Sequence, residues 1–283
     1  MLGIGDDMAA LDLGGRPVLI TGDMLLDGVH FDSTEHSLKD IGRKAAACSL
    51  SDCAAMAVRP LGALVSLALP RRLGMEQAKL LTEGITSMCA SYGCELVGGD
   101  TTSWENPLVV DVAMLATPYT DITPVRRDGG CAGDGVYVTG TLGGSRLGKH
   151  LTFTPRVREA RAIAELLGAG LHAMIDLSDG LAIDLDRVGE ASRTGAVLDE
   201  ALLVNVTSDA AREAAGRDGR SALDHLLGDG EDFELLVCAE VAESVAAQCG
   251  LARIGWLIEG TGLRLRSLDG TETPLTPQGY QHL

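Results

Sequence analysis

The sequence predicts an α/β or α+β protein of two halves, from its length, its alternating apolar segments and an interruption near its centre. The chain has 283 residues, which is enough for two domains. Strand-like and helix-like periods alternate in both halves. Residues 118–135 are rich in proline, glycine and charge, a composition typical of a domain boundary. We therefore predict one domain over 1–122 and a second over 123–283.

The first half opens on a strand and then alternates. Short apolar runs bounded by glycine, proline or charge indicate strands, and longer runs with small apolar residues on one face indicate helices. In order, we predict a strand over 17–25 ("PVLITGDML"), a helix over 38–58, a strand over 61–69 ("LGALVSLAL"), a helix over 75–91, and strands over 94–100 ("CELVGGD") and 108–116 ("LVVDVAMLA").

The second half repeats the alternation. In order, we predict a strand over 136–140 ("VYVTG"), helices over 144–150 and 157–168, a strand turning into a helix within 173–185 ("AMIDLSDGLAIDL"), a strand over 233–238 ("FELLVC"), a helix over 240–248, and strands over 251–258 and 262–267.

Composition excludes several classes of function. The net charge of −17 disfavours binding to nucleic acid or to an anionic membrane, because both require a basic face. No apolar run is long enough to span a bilayer, and no signal peptide is visible. The seven cysteines include no CxxC pair, so we expect reduced, buried thiols in a cytoplasmic protein rather than zinc ligands.

Carboxylates recur beside glycine, serine or threonine where predicted strands end. Asp23, Asp100 and Asp176 each follow an apolar run, and Asp179 comes directly after Ser178. Each alone is explained by a turn or a helix cap. Their repetition favours a shared role, since converging acids repel one another unless a cation neutralises them, and Mg²⁺ is the cation usually shared with phosphates. Further acids of this pattern are Asp6, Asp7, Asp52, Asp229, Glu231 and Asp232, whereas Asp184 and Asp186 are expected on a solvated helix face.

A glycine-rich segment at 140–150, "GTLGGSRLGKH", resembles a phosphate-binding loop. Gly143, Gly148 and Lys149 have the required spacing, but His150 stands where a serine or threonine should bind Mg²⁺. A glycine-rich turn leading into a helix is the simpler interpretation.

Six motifs in order, "GIGDD", "GD…DGVHF", "KAAACSLSDCAAMAVRP", "GGDTT", "DLSDGL" and "GEDFELL", resemble the thiamine-monophosphate kinase family. This family belongs to the superfamily of aminoimidazole ribonucleotide synthetase and selenophosphate synthetase. The resemblance covers nearly the whole chain. It implies a two-domain α/β (α+β) fold, with an N-terminal domain that dimerises through its strands and binds ATP and Mg²⁺, and a C-terminal α/β domain.

The resemblance also implies an activity and its residues. The family transfers a phosphoryl group from ATP to thiamine monophosphate with several Mg²⁺ ions, directly and in line, and without a catalytic side chain. The implied partners are these small molecules and a second copy of the chain, with no nucleic acid and no membrane. The implied metal ligands are Asp7, Thr21, Asp23, Asp52, Asp100, Asp176 and Asp179; ATP contacts are Gly99, Asp100, Arg127 and Ser178; thiamine phosphate contacts are His30, Glu231 and Tyr280.

Three of these residues have a structural alternative. His30 is equally explained as a hydrogen-bonded structural histidine, Arg127 as a solvated surface charge and Tyr280 as a side chain packed on the core. Two other classes of function also remain: a non-catalytic binder of thiamine phosphates or nucleotide, and a related ATP-dependent ligase-type enzyme.

The chain departs from the family pattern at four places. Only two residues precede Gly3, where the family has a longer leader, so either the start differs or part of the nucleotide cover is missing. Asp229 replaces a glycine and is expected to add an acid beside the acceptor. Thr152-Phe153 replaces an Arg-Pro pair before a helix, and Thr21-Gly22 lacks one hydroxyl.

Overall fold

The computed structural model describes residue 3 and residues 5–15 and 17–280; Ile4 of "GIGDD" and the last three residues of "GYQHL" lie outside the described residues. The chain divides into two compact units. Unit 1 comprises Met1–Cys53, Val58–Thr123 and Leu151–Val157, and unit 2 comprises Ala54–Ala57, Pro124–His150 and Arg158–Leu283. A single boundary in the sequence does not predict the two short segments, 54–57 and 151–157.

Unit 1 is built on a five-stranded sheet with the order β1-β2-β5-β3-β4. Its neighbours are antiparallel except β3 and β4, which are parallel and are joined through helix α2. In chain order the elements are β1 (Ala9–Asp12), β2 (Pro17–Leu26), α1 (Leu38–Ala55), β3 (Val58–Pro70), α2 (Met75–Ser91), β4 (Glu95–Trp104) and β5 (Val109–Pro118).

Glycines allow α1 and α2 to approach each other closely. A Cβ at Gly42 would lie 2.0 Å from the carbonyl oxygen of Leu81, and one at Gly84 would lie 2.1 Å from that of Lys39. Both distances are far below van der Waals contact, so larger residues would force the helices apart. Ala45, Ala46 and Ala47 of α1 are fully buried, as is Val110 of β5, so small aliphatic side chains supply much of the buried surface of this unit.

Unit 2 contains a seven-stranded sheet with the order β12-β11-β8-β10-β6-β9-β7. Only the β8–β11 pair of this sheet is parallel among the described residues. In chain order the elements are β6 (Gly135–Thr139), α3 (Lys149–Thr152), α4 (Val157–Leu167), β7 (Leu171–Asp176), α5 (Leu181–Ser192), β8 (Gly195–Asp199), α6 (Glu200–Val206), α7 (Asp209–Asp218), α8 (Ala222–Gly228), β9 (Leu235–Ala239), α9 (Glu243–Gln248), β10 (Leu251–Ile258), β11 (Gly262–Arg266) and β12 (Glu272–Leu275), with short 3₁₀ turns at Ser145–Leu147 and Gly168–Gly170.

The elements predicted from periodicity are present, and several others were missed. The missed strands β1, β8 and β12 are four or five residues long, too short for a periodic signal. The missed helices α6–α8 are also short, with only two residues between α6 and α7 and three between α7 and α8, and the residue before each helix is a capping aspartate or serine. No helix within the described part of the chain is long and apolar enough to cross a bilayer.

Candidate functional site

In unit 1, four predicted metal ligands gather where β2 faces α1. Thr21 and Asp23 lie two residues apart on β2, so they share one face of the strand. The Ser49 hydroxyl donates to Asp23 Oδ2 at 2.6 Å, and the Thr21 hydroxyl donates a short hydrogen bond to Asp52. Carboxylate oxygens of Asp7 and Asp52 lie within 4.8 Å of each other. Strand alternation and one turn of α1 therefore assemble this group.

Burial raises the pKa of Asp23, the Ser49 hydrogen bond opposes that rise, and the nearby charge of Asp111 adds to it. A buried carboxylate among other carboxylates is costly to ionise. Oxygen donors of this kind are the ligands that Mg²⁺ prefers, and a divalent ion would relieve the repulsion. The residues of this group therefore fit a hard divalent cation.

Gly99 and Asp100 lie on the edge strand β4, away from this group. Asp100 is level with Ser66 of β3, which is in turn level with Asp111 of β5, and both Ser66 and Asp100 are exposed. A Cβ at Gly99 would lie 1.8 Å from the carbonyl oxygen of Val65, so only glycine fits there. The prediction that a strand ends at Asp100 is wrong, because β4 continues to Trp104. The strand predicted over 17–25, which carries Asp23 near its end, agrees with β2, which ends at Leu26.

In unit 2, the strand exit predicted at Asp176 is present. β7 ends at Asp176, and the residues that follow to Asp184, the acid turn (176–184), lead into α5. Asp184 Oδ2 accepts from the backbone N–H groups of Asp179 and Gly180, at 3.0 and 3.1 Å. Arg187 Nη1 contacts both Asp179, at 2.6 Å, and Asp184, at 2.7 Å. The acid turn is thus held in shape by a carboxylate and a guanidinium on the first turns of α5.

This arrangement corrects the expectation that Asp184 lies on a solvated face. Its side chain is fully buried, and burial together with the charges of Asp179 and Asp176 raises its pKa to about 8 against the opposing effect of Arg187. The burial of Asp184 could have been predicted from the sequence. Leu181, Leu185 and Val188 lie on one face of the helix, and position 184 lies on the same face. The cluster of three acids fits a divalent cation by the same reasoning as the group in unit 1.

Two further predicted residues, Glu231 and Tyr280, adjoin the acid turn through backbone hydrogen bonds. The Glu231 N–H donates to the Ser178 carbonyl at 2.7 Å, and the Tyr280 N–H donates to the Asp179 carbonyl at 2.9 Å. Gly230 adopts a left-handed conformation, φ 71°, and a Cβ there would lie 2.9 Å from the Ser178 and Asp179 carbonyls. Unit 2 therefore brings Asp176, Ser178, Asp179, Glu231 and Tyr280 together.

His30, Arg127 and Tyr280 differ in how well their structural alternatives hold. His30 Nδ1 accepts from the Leu26 N–H at 3.0 Å, which places the imidazole proton on Nε2 and makes that atom a donor. Arg127 is half-buried rather than fully solvated, and its carbonyl accepts from the Ser192 hydroxyl. Tyr280 is 47% exposed, so it does not pack in the core.

The glycine-rich turn (140–150) is occupied by structural contacts. Lys149 Nζ donates to the Thr141 carbonyl at 2.8 Å and lies 2.9 Å from Glu234 Oε1. His150 is buried, with Nδ1 3.3 Å from Glu231 Oε2. Because the lysine that would reach a phosphate is held by a buried glutamate, the turn is better explained as scaffold.

Asp232 accepts two further hydrogen bonds from this turn. Its carboxylate accepts from the Gly143 N–H at 3.0 Å and from the Ser145 hydroxyl through a short hydrogen bond. Burial raises the pKa of Asp232 to about 6, although Lys149 and these donors oppose the rise. Asp232 thus supports the turn and is not a free ligand for an ion.

Two departures from the family pattern also have structural explanations. The Asp229 carboxylate contacts Arg220 at 2.9 Å and His225 at 2.8 Å and accepts from the Gly144 N–H, which corrects the expectation that it adds a free acid beside the acceptor. Carbonyls of residues 151–153 accept hydrogen bonds from the Arg43 guanidinium, and the bond to the Leu151 carbonyl is 2.7 Å long.

Comparison with known families matches both halves of the chain. Residues 5–117 match the N-terminal domain of AIR synthase related proteins, and residues 131–267 match the C-terminal domain of the same proteins.

Individual relatives match nearly end to end. A thiamine-monophosphate kinase of Rhodopirellula baltica is 41% identical over 99% of this chain and 91% of its own length. A solved structure described as "AaThiL complexed with AMPPCP and TMP" is 28% identical, with a TM-score of 0.86 over 99% of this chain and 92% of that one. The structure of a thiamine-monophosphate kinase from Stenotrophomonas maltophilia is 32% identical, with a TM-score of 0.77 over 95% and 91% of the two chains.

Proposed function

From the premise that this chain belongs to the AIR synthase related protein family, we propose that it is a kinase that uses ATP to convert thiamine monophosphate to thiamine diphosphate. Relatives that carry this activity in their names align over 99% of the chain. The observation that carries the proposal is the acid turn, which begins at Asp176 and where backbone hydrogen bonds join Ser178 to Glu231 and Asp179 to Tyr280.

We propose Mg²⁺ as the cofactor, with Asp7, Thr21, Asp23, Asp52, Asp100, Asp176 and Asp179 as its ligands. The donor set of oxygens and the cost of ionising Asp23 and Asp184 support this choice. When bound, the ions would neutralise the phosphate charges that otherwise repel each other and the acidic protein.

The residues of the chain then bind and orient the two substrates. Gly99, Asp100, Arg127 and Ser178 are proposed to contact ATP. Glu231 is proposed to complement the positive charge of the thiamine ring system, and Tyr280 offers an exposed ring for contact with it. His30, with Nε2 as a donor, suits the phosphate of the acceptor.

No general base is needed for this transfer. The attacking group is a phosphate oxygen whose second pKa is about 6, so it is largely deprotonated near neutral pH. Catalysis then depends on positioning and on charge neutralisation. For this reason we propose no catalytic side chain.

We further propose that the chain forms a homodimer and acts in the cytoplasm. The sheet of unit 1 carries Leu61, Leu64, Met24 and Val97 as exposed apolar side chains, 38–62% accessible, which suits a two-fold interface. The seven cysteines are free thiols, as expected in a reducing compartment.

The test is a coupled assay of ADP release with thiamine monophosphate, ATP and Mg²⁺, with thiamine diphosphate identified as the product. Unphosphorylated thiamine is the control acceptor, because it lacks the attacking phosphate. Binding of ATP and thiamine monophosphate without formation of thiamine diphosphate would instead support the non-catalytic binder. ADP release that requires an amide or formyl substrate would support the ligase-type enzyme.

A further inference from the structure

A second group of metal-ligating side chains lies in unit 2, outside the residues proposed for the kinase. The potential ligand atoms of Cys131, Asp134 and His172 all lie within 4.8 Å of one another. His172 Nδ1 is 2.8 Å from Asp134 Oδ1, and the other carboxylate oxygen of Asp134 accepts from the Cys131 N–H at 2.7 Å. Asp134 is buried, whereas Cys131 is exposed, so the cluster opens to solvent on its sulfur side.

The backbone builds this cluster in two ways. The register of β7 against β9 shifts between Leu171 and Ala173, so His172 lies at a β-bulge, a feature that re-aims a side chain. Residues 129–134 form a turn beside it: the Gly133 N–H donates to the Leu257 carbonyl at 2.9 Å, and a Cβ at Gly129 would lie 2.1 Å from the His172 carbonyl. Only a glycine at 129 lets the turn lie this close to the bulge.

We propose that Cys131, Asp134 and His172 bind one Zn²⁺ ion. A thiolate, an imidazole nitrogen and a carboxylate oxygen are the three protein ligands that zinc takes, with metal–ligand distances of about 2.0–2.3 Å and a fourth position left for water. Donor atoms around a tetrahedral ion of this size are separated by about 3.3–3.5 Å. The cluster reaches that spacing by a small movement of the exposed Cys131 side chain and by an opening of the Asp134–His172 pair, now 2.8 Å apart, by about 0.5–0.7 Å.

The site is distinct from the acid turn. His172 lies near the start of β7 and Asp176 at its end, about 13 Å apart for a strand that rises about 3.3 Å per residue. The donor sets also differ, because the acid turn offers oxygens only and suits Mg²⁺, whereas sulfur and nitrogen favour Zn²⁺. The proposal therefore does not depend on the kinase activity.

The spacing of the cysteines could not reveal this site. Only one of its ligands is a cysteine, and His172 lies 41 positions along the chain from Cys131. The expectation of uniformly buried thiols is also wrong for Cys131, which is exposed.

The test uses the full chain, stripped of metal by a chelator and returned to a buffer with excess Mg²⁺ that occupies oxygen-only sites. Zn²⁺ is titrated against a chromophoric chelator, and Co²⁺ is added separately as a spectroscopic probe. We expect one Zn²⁺ per chain, a thiolate-to-cobalt charge-transfer band, and protection of Cys131 from iodoacetamide by Zn²⁺. Cys131→Ser should lower Zn²⁺ affinity by at least about 100-fold and abolish the band, since even outer partners of a ligand contribute about 10–100-fold.

Cys249→Ser is the matched control, because Cys249 is a half-buried thiol of the same unit and lies outside the cluster. It should keep the affinity and the band. His172→Gln tests the nitrogen ligand, and circular dichroism checks that this variant folds. If His172→Gln does not fold, Asp134→Asn is used in its place. Equal Zn²⁺ affinity in wild type and Cys131→Ser, or a wild type without the cobalt band, would overturn the proposal.

Discussion

The acid turn and the glycine-rich turn are both strand-to-helix connections of unit 2, and their charges are balanced to different degrees. In the glycine-rich turn, Lys149 is neutralised by Glu234 and lies 3.9 Å from Asp232. In the acid turn, Arg187 contacts two carboxylates, Asp179 and Asp184, and the charge of Asp176 acts on Asp184 as well. The glycine-rich turn therefore sets two acids against one lysine, whereas the acid turn sets three acids against one arginine.

This difference identifies the turn suited to a cation more reliably than glycine spacing does. Glycines shape both turns, and the glycine-rich turn has the more familiar pattern of the two. What separates them is how many carboxylates surround the one basic side chain that contacts them, two around Lys149 and three around Arg187. The predictions below test this distinction by removing charges from one turn or the other.

Asp179→Asn in the acid turn should have the largest effect. It removes a negative charge and a strong ligand while keeping the shape of the side chain. Turnover should fall by about 10³-fold, because metal-mediated charge stabilisation contributes several kcal/mol and each tenfold in rate corresponds to about 1.4 kcal/mol. The measurement is steady-state ADP release at saturating substrates.

Asp186→Asn is the control for this variant, since Asp186 is a half-buried acid on the same helix and is not part of the network around Arg187. It should keep turnover close to wild type. The apo stability of Asp179→Asn should change little, because the lost ion pair with Arg187 is offset by weaker repulsion of Asp184 and Asp176. A helix-capping role for Asp179 predicts near-normal turnover, because asparagine caps about as well as aspartate.

Arg187→Ala should unbalance the acid turn further. Without the guanidinium, the buried Asp184 loses its neutralising partner, so the free energy of unfolding without metal should fall by about 1–3 kcal/mol. Mg²⁺ should restore part of that loss, because it replaces the missing positive charge. Urea unfolding with and without Mg²⁺ measures both effects.

Arg161→Ala provides the comparison, since Arg161 forms an exposed i,i+4 pair with Glu165. Its loss should cost no more than about 0.5 kcal/mol, and Mg²⁺ should not change that figure. An equal loss in both variants would contradict the role assigned to Arg187.

Asp232→Asn removes the carboxylate that supports the glycine-rich turn, and it should change how the free energy of unfolding depends on pH. The pKa of Asp232 rises from 3.8 to about 6 on folding, so between these values the folded protein keeps a proton that the unfolded chain releases. The wild-type free energy of unfolding therefore falls as pH rises from about 4 to 6, by up to about 3 kcal/mol at about 1.4 kcal/mol per pKa unit. Asparagine cannot release a proton and lacks this component. Urea unfolding of both proteins at pH 4 and pH 7 isolates it, and a difference between the two proteins that is independent of pH would contradict the assignment.

Lys149→Ala should have the smallest effect on catalysis. Its KM for ATP should stay within about twofold of wild type, since the lysine is held by Glu234 and not by the nucleotide. Stability should fall, because a buried glutamate loses its partner. A rise of KM by an order of magnitude would revive the phosphate-loop interpretation.

Much of the fold could be predicted from the sequence, because the spacing of apolar residues indicates which face of a helix or strand is buried. The long elements, such as α2 and β10, were predicted within a residue or two of their observed bounds. The strand exit at Asp176 was also correct. The course of β4 past Asp100 was not, because pairing with β3 overrides the local signal of Gly98 and Gly99.

The partners within the site were harder to predict. That Asp184 and Arg187 hold the acid turn depends on side-chain geometry three residues apart on one helix, which a motif does not encode. The contacts of Asp229 with Arg220 and His225 likewise arise from the packing of the α7–α8 region. Sequence alone located acids but not which of them were already neutralised.

The most direct test of the distinction between the two turns is a titration with Mn²⁺, followed by electron paramagnetic resonance in the presence of a non-hydrolysable ATP analogue. Mn²⁺ takes the same oxygen ligands as Mg²⁺ and is counted as it binds. We predict that Asp179→Asn binds fewer ions per chain than wild type, and that Lys149→Ala binds the same number with the same affinity. Loss of an ion in Lys149→Ala, with unchanged binding in Asp179→Asn, would contradict the account.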